Sequence, residues 1–177
     1  MDIDIQAILE RVENRSFAEK CNYYFVDSAE MKEYFTQHLI IFEIDNDDRR
    51  EIFNSELIKT NYIAFDDDID TPKSEYDYRF IEDLKFTPKT LFNLFKSHNN
   101  KISILDADTL LAKQSLVDIL QGAICSSPDS GSKWSVSLNG EKNFMFRGTV
   151  ILLTTLSREK FAKTKKYHYL NRDMRRI

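Results

Sequence analysis

Four short runs of consecutive apolar residues, set apart by helix-like segments, constrain this chain more than any other feature. They are LIIFEI (39–44), YIAF (62–65), KISIL (101–105) and GTVILLTTL (148–156). A strand with one wet face alternates apolar and polar residues, whereas a strand covered on both faces reads as an unbroken apolar run, the mark of a parallel sheet between helices. The intervening segments carry helical signals. In TPKTLFNLFKSHNN (87–100), Thr87 can cap, Pro88 takes the first helical position, and Leu91, Phe92, Leu94 and Phe95 form the buried stripe. DTLLAKQSLVDILQGAI (108–124) places Leu116, Ile119, Leu120 and Ala123 on one helical face. The expected class is α/β: a three-layer sandwich built on a mainly parallel sheet.

The remaining segments fill in around this frame. Residues 3–12 predict an amphipathic helix; 23–26 predict a short strand, followed by a helix capped by Ser28. REIFNSELIKT (50–60) reads as helical and DDDIDTPKSEYDY (66–78) as a solvated acidic loop, which lacks the spacing and glycine of a calcium loop. CSSPDSGSKWSVSLNGEKNFMF (125–146) predicts a loop or hairpin turning at Gly131 and Gly140, with Trp134 packing it onto the sheet. SREKFAKTKKYHYLNRDMRRI (157–177) predicts a last helix or helix pair. With 177 residues, 42% of them hydrophobic, the chain can bury one full core. The organisation expected is one domain over 1–157, including the N-terminal helix, and a basic helical tail over 158–177.

No window approaches ~18 consecutive apolar residues and the N-terminal stretch is acidic, so a membrane span or leader is not expected and the chain reads as cytoplasmic. Cys21 and Cys125 stand alone, as reduced core cysteines do. His38, His98 and His168 are expected in surface or capping roles. Charge is unevenly distributed. Residues 158–177 hold eight basic side chains against two acidic ones, a net +6, which leaves −10 on the other 157 residues of a chain whose total is −4. Lys163, Lys165, Lys166, Arg172, Arg175 and Arg176 are therefore the candidate contacts to nucleic acid or to an acidic protein face.

In open α/β sheets chemistry gathers at the carboxyl ends of strands. Two such ends are polar here: SILDAD brings Asp106 and Asp108, and VILLTTLS brings Thr154, Thr155 and Ser157. About 45 residues, a helix and an insertion, separate them. Over 86–161 the order TPKTLFNLF, KISILDADTLL, SLVDILQGAI, a Trp-bearing hairpin and FMFRGTVILLTTLSREKF resembles the second half of a phage-type AAA+ ATPase core. That resemblance implies a P-loop-NTPase-like fold, with KISILDAD as the Walker B strand and VILLTT as the sensor-1 strand beside it. It puts Asp106 at the water-polarising acid and Thr155 at sensor 1, with Leu105 where the magnesium-associated aspartate belongs. Shifting by one residue makes Asp106 the magnesium residue and Ala107 the missing base. Asp108 is the nearby substitute in either register, and Arg172 falls roughly where an interface arginine finger would stand.

Upstream the pattern departs from the family. A phosphate-binding loop, G-x-x-x-x-G-K-[ST], needs glycines for the backbone to wrap around phosphates and a lysine to reach them. All four glycines of this chain lie at 122 or later, and LIIFEI is followed instead by DNDDRREIF, whose Asp45, Asp47 and Asp48 repel polyphosphate. The chain ends about 20 residues after the sensor-like strand, where the resemblance implies a lid domain, so a core lacking the lid is expected. The leading expectation is a degenerate AAA+-like domain that binds a protein partner, itself or a P-loop-bearing AAA+ subunit, with no cofactor. One alternative is a magnesium-dependent hydrolase or an ATPase, with Asp106 and Asp108 holding the metal beside Asp45 or Asp66. The other is a nucleic-acid-binding accessory protein using the basic tail.

Overall fold

The computed structural model describes residues 16–21, 38–45, 48–59, 65–66, 69–72, 78–81, 86–99, 102–126 and 135–177. The helix expected over 3–12, the strand at 23–26, the Ser28-capped helix, Gly131 and Trp134 lie outside them. The elements in chain order are β1 (Leu39–Ile41), α1 (Arg49–Lys59), β2 (Phe65–Asp66), β3 (Ile69–Pro72), β4 (Tyr78–Ile81), α2 (Pro88–Ser97), β5 (Ile102–Asp106), α3 (Asp108–Ala112), α4 (Gln114–Cys125), β6 (Thr149–Leu153), α5 (Arg158–Lys163), a 3₁₀ turn (Lys165–Tyr167), α6 (His168–Asp173) and β7 (Arg175–Arg176). Five strands form one sheet in the order β4-β5-β6-β1-β7. Every pairing within it is parallel.

The unbroken apolar runs are explained by two cores, one on each face of this sheet. Successive side chains of a strand point to opposite faces. Ile40, Leu105, Val150 and Leu152 pack with α2, α4 and the residues of α5 and α6. Their neighbours Leu39, Ile41, Ile104, Ile151 and Leu153 pack with Phe53 of α1 and with Phe17 and Cys21 from a helical turn over 17–21. The arrangement is an α/β sandwich with helical segments over both faces of a parallel sheet.

Local chemistry sets several boundaries. Thr87 and Thr90 close a reciprocal capping box at the start of α2, with Pro88 at its first position. Ser157 caps α5 by accepting from the Lys160 amide at 3.2 Å. The continuous helix expected over 108–124 is broken at Lys113, which is extended (φ −110°, ψ 123°). The carbonyls that a continuing helix would have used are taken from the side: Tyr167 Oη donates to Leu111 O at 2.7 Å and Lys166 Nζ to Ala112 O at 3.4 Å. Tyr62 to Ala64 of YIAF lie outside the described residues. Phe65 and Asp66 pair antiparallel with β3 in a separate two-stranded sheet, inside what was expected to be acidic loop.

The segment expected to be a separate basic tail contributes to the core. Phe161, Tyr167, Leu170 and Met174 are buried, Phe161 stacks on Tyr167 at 4.6 Å, and β7 joins the sheet beside β1. Ile177 extends this pairing by donating to Ile40 O at 3.0 Å and accepting from the Phe42 amide at 2.9 Å.

Among the described residues no helix is long and apolar enough to cross a membrane.

Candidate functional site

The strand order locates the candidate site. From β1 the chain continues to β4, three positions to one side; from β6 it continues to β7, on the opposite side of β1. The connection from β1 thus runs across β6 and that from β6 across β1, and the two diverge to opposite faces, Phe53 of α1 in one core and Phe161 and Leu170 in the other; in open α/β sheets the ligand crevice forms at the carboxyl ends of such a pair. The residues that arrive there are Phe42 to Asp45 from β1, Asp106 to Asp108 from β5, and Thr154 to Ser157 from β6.

Each of these exits is tied to another part of the chain. After β1, three consecutive amides are engaged: Phe42 N donates to Ile177 O (2.9 Å), Glu43 N to Leu156 O (3.2 Å) and Ile44 N to Thr154 O (3.1 Å). Thr154 N donates back to Ile41 O at 3.0 Å, so the β1 exit continues in a ladder with the β6 exit. Glu43 and Asp48 have positive φ (50° and 54°), bending a glycine-free connection toward α1.

The two aspartates have separate partners. Arg50, in the first turn of α1, donates from Nη2 to Asp106 Oδ1 at 2.6 Å. Its neighbour Arg49 turns the other way, donating to Phe42 O at 3.0 Å and lying 5.0 Å over the Phe17 ring. Asp108 accepts from Thr154 Oγ1 at 2.6 Å, from the Thr155 amide at 3.0 Å and, on its other oxygen, from Thr155 Oγ1 at 2.7 Å. Thr154 is fully buried, and its hydroxyl also accepts from Leu156 N at 3.1 Å. Asp108 thus clamps the β6 exit to the start of α3, and the sensor-like Thr155 pairs with Asp108 instead of Asp106.

Asp45 stands exposed in the turn after β1, and Asp66 belongs to the two-stranded sheet. Among the described residues no three His, Cys, Asp or Glu side chains group as metal ligands. Lys163 pairs with Glu159, and Arg172 pairs with Asp173 through two 2.7 Å contacts. Lys165 is exposed, Arg175 is in β7, and Arg176 reaches Asn171 Oδ1 at 3.1 Å. Neither His38 nor His98 is a surface residue. His38 is buried just before β1, where its Nδ1 accepts from Val150 N at 3.1 Å, and burial lowers its pKa to about 4. His98 caps the end of α2 while buried, 3.5 Å from Ser103 Oγ. Burial likewise pushes the Cys21 and Cys125 thiols up to about 12, Cys125 also donating to Asp173 Oδ2 at 3.1 Å.

The residue that sequence reasoning missed is Arg50. Its signal was the Arg pair closing DNDDRR at a helix start, where three aspartates precede it. No protein-family model, curated protein or solved structure matches this chain.

Proposed function

We propose that this chain is a catalytically degenerate AAA+-like domain that acts by binding a protein partner. Support comes first from topology: the strand read as Walker B lies beside the strand read as sensor 1, and both point their polar ends at the divergence between β1 and β6. The observation that supports the degenerate reading is the internal use, among the described residues, of the first three amides after β1 and of both strand-end carboxylates. A phosphate cradle requires free backbone amides after the first strand; those of Phe42, Glu43 and Ile44 already have carbonyl partners. A magnesium-associated carboxylate requires an open oxygen environment; Asp106 faces a guanidinium and Asp108 is saturated by two threonines. The residues present do not fit a bound Mg²⁺-nucleotide.

Arg50 supplies at the carboxylate the positive charge that a metal supplies in an active site. The domain keeps a folded strand-end surface while its carboxylates serve to join α1, α3, β5 and β6. Calorimetric titration of Mg²⁺ into the wild type and Asp106→Ala tests this. Identical traces are expected; a binding heat present in the wild type and absent in the variant would overturn the reading in favour of a metal-dependent enzyme.

A further inference from the structure

The surface formed by α5, the 3₁₀ turn and α6 carries a second set of groups, distinct from the strand ends. Its apolar side chains, Phe161, Tyr167, Leu170 and Met174, are all turned into the core, so what it presents outward is charge. Arg158, Lys160, Lys163 and Lys165 are exposed along α5 and the turn, and Arg172 is exposed on α6. The contact of Lys166 with Ala112 O brings it to the α3–α4 junction, where exposed Lys113 joins the same surface. The acids within the segment are occupied by their own neighbours: Glu159 by Lys163, and Asp173 by Arg172 and Cys125. Arg158, Lys160 and Lys165 make no ion pair among the described residues. Tyr169 adds an aromatic ring, 37% exposed, with the Arg172 guanidinium 5.3 Å over it and His168 edge-on at 5.4 Å.

We propose that this α5–α6 surface binds a single-stranded nucleic acid, its lysines and arginines tracking the phosphodiester backbone and Tyr169 offering a ring to a base. A basic surface beside an exposed aromatic is the combination that single strands use, because every base has a face to stack and every phosphate a charge to neutralise. A duplex groove is a poorer match. Six-residue helices such as α5 and α6 span only about 9 Å each, too short to lie along a groove and read it. An anionic membrane is a poorer match too, since Phe161, Tyr167, Leu170 and Met174 face inward and leave Tyr169 as the one large ring at the surface, far short of an apolar face to insert. The rest of the chain carries a net −10 against +6 on residues 158–177, so attraction for phosphate is strongest on this segment. The proposal does not depend on the strand-end reading and survives its failure.

The test is fluorescence anisotropy of a labelled 20-nucleotide oligo-dT with the full chain at 50 and 200 mM salt. Four or five phosphate contacts, at about 0.7 counterion each, predict roughly 50- to 130-fold weaker binding at the higher salt. Lys165→Ala/Lys166→Ala should flatten the log–log salt slope by about 1.4, and Arg158→Ala/Lys160→Ala, on a separate element, by a similar amount. Tyr169→Ala should weaken binding about fivefold or more with the slope unchanged. The proposal is overturned by absence of binding at 50 mM salt, by salt-independent affinity, by a duplex of the same length binding as tightly, or by polyglutamate displacing the oligonucleotide at equal charge. The last result would assign the surface to an acidic protein.

Discussion

Replacing Asp108 with alanine separates a structural carboxylate from one kept for chemistry, because the two readings predict opposite signs for stability. A carboxylate retained for ligand binding is commonly a burden on the empty fold, so its removal leaves stability unchanged or raised. Here Asp108 receives the hydroxyl of Thr154, a fully buried residue, at 2.6 Å. Its other donors, the amide and hydroxyl of Thr155, belong to an exposed residue that water can satisfy once the carboxylate is gone. The loss is therefore dominated by one charge-assisted bond to a buried hydroxyl, worth about 1.5–3 kcal/mol when its donor is left unpaired. For a chain of this size that lowers Tm by roughly 4–8 °C. Asp108→Asn keeps one acceptor oxygen and should lose less than half as much. Thr154→Val in the Asp108→Ala background removes the stranded hydroxyl, so the double variant should fall short of additivity by about 1–2 kcal/mol. Urea unfolding at neutral pH, with m-values checked for constancy, measures the wild type, the single variants Asp108→Ala, Asp108→Asn and Thr154→Val, and the double variant. An Asp108→Ala midpoint at or above wild type, or strict additivity with Thr154→Val, would refute the reasoning.

Three further outcomes are expected. The Arg50–Asp106 pair has side chains 39% and 38% exposed, so a double-mutant cycle with Arg50→Ala and Asp106→Ala should give only about 0.5–1 kcal/mol of coupling, shrinking in 0.5 M salt; a salt-independent coupling would mean the pair is not the contact that joins α1 to β5. His38 is held neutral by burial, with its folded pKa lowered to about 4 from 6.5, so the unfolded chain takes up a proton first as pH falls; stability should drop between pH 6.5 and 4 by up to roughly 3 kcal/mol more than in His38→Asn, and parallel pH profiles of the two proteins would contradict this. A Cβ on Gly122 would sit 2.8 Å from Ser135 O and 3.1 Å from Val136 Cα, both backbone, so Gly122→Ala should destabilise by about 1–2 kcal/mol despite its better helix propensity, whereas a raised thermal midpoint would show that the 135–136 segment moves aside freely.

What the sequence disclosed and what it hid divide along the range of the interactions. Apolar runs report burial on both faces, so the strands at 39–41, 102–106 and 149–153 and the parallel sheet were legible from the local apolar pattern. Caps are contacts between residues three apart, and Thr87 was legible for that reason; Ser157, read only as a polar strand end, caps α5 in the same way. The Lys113 break was not, because no Gly or Pro marks it: Tyr167 and Lys166, more than 50 residues away, donate to the carbonyls there. β7 was hidden in a stretch whose basic residues dominate its pattern, while the apolar residues that anchor it, Leu170, Met174 and Ile177, are spaced as in a helix. At the candidate site the strand-end positions of Asp106, Asp108 and Thr154 were readable. Their partnerships were not, since Arg50 to Asp106 spans 56 residues and Asp108 to Thr154 spans 46.

The central claim is that the groups facing the divergence between β1 and β6 are engaged with one another instead of with a nucleotide. Its most direct measurement is equilibrium titration of the purified wild-type chain with a fluorescent, non-hydrolysable ATP analogue, with and without Mg²⁺. The engaged amides of Phe42 to Ile44 and the Arg50–Asp106 pair predict no saturable signal up to millimolar analogue and no response to Mg²⁺. Saturable micromolar binding that requires Mg²⁺ and disappears in Asp106→Ala would contradict it, and would restore the strand ends as a working nucleotide site.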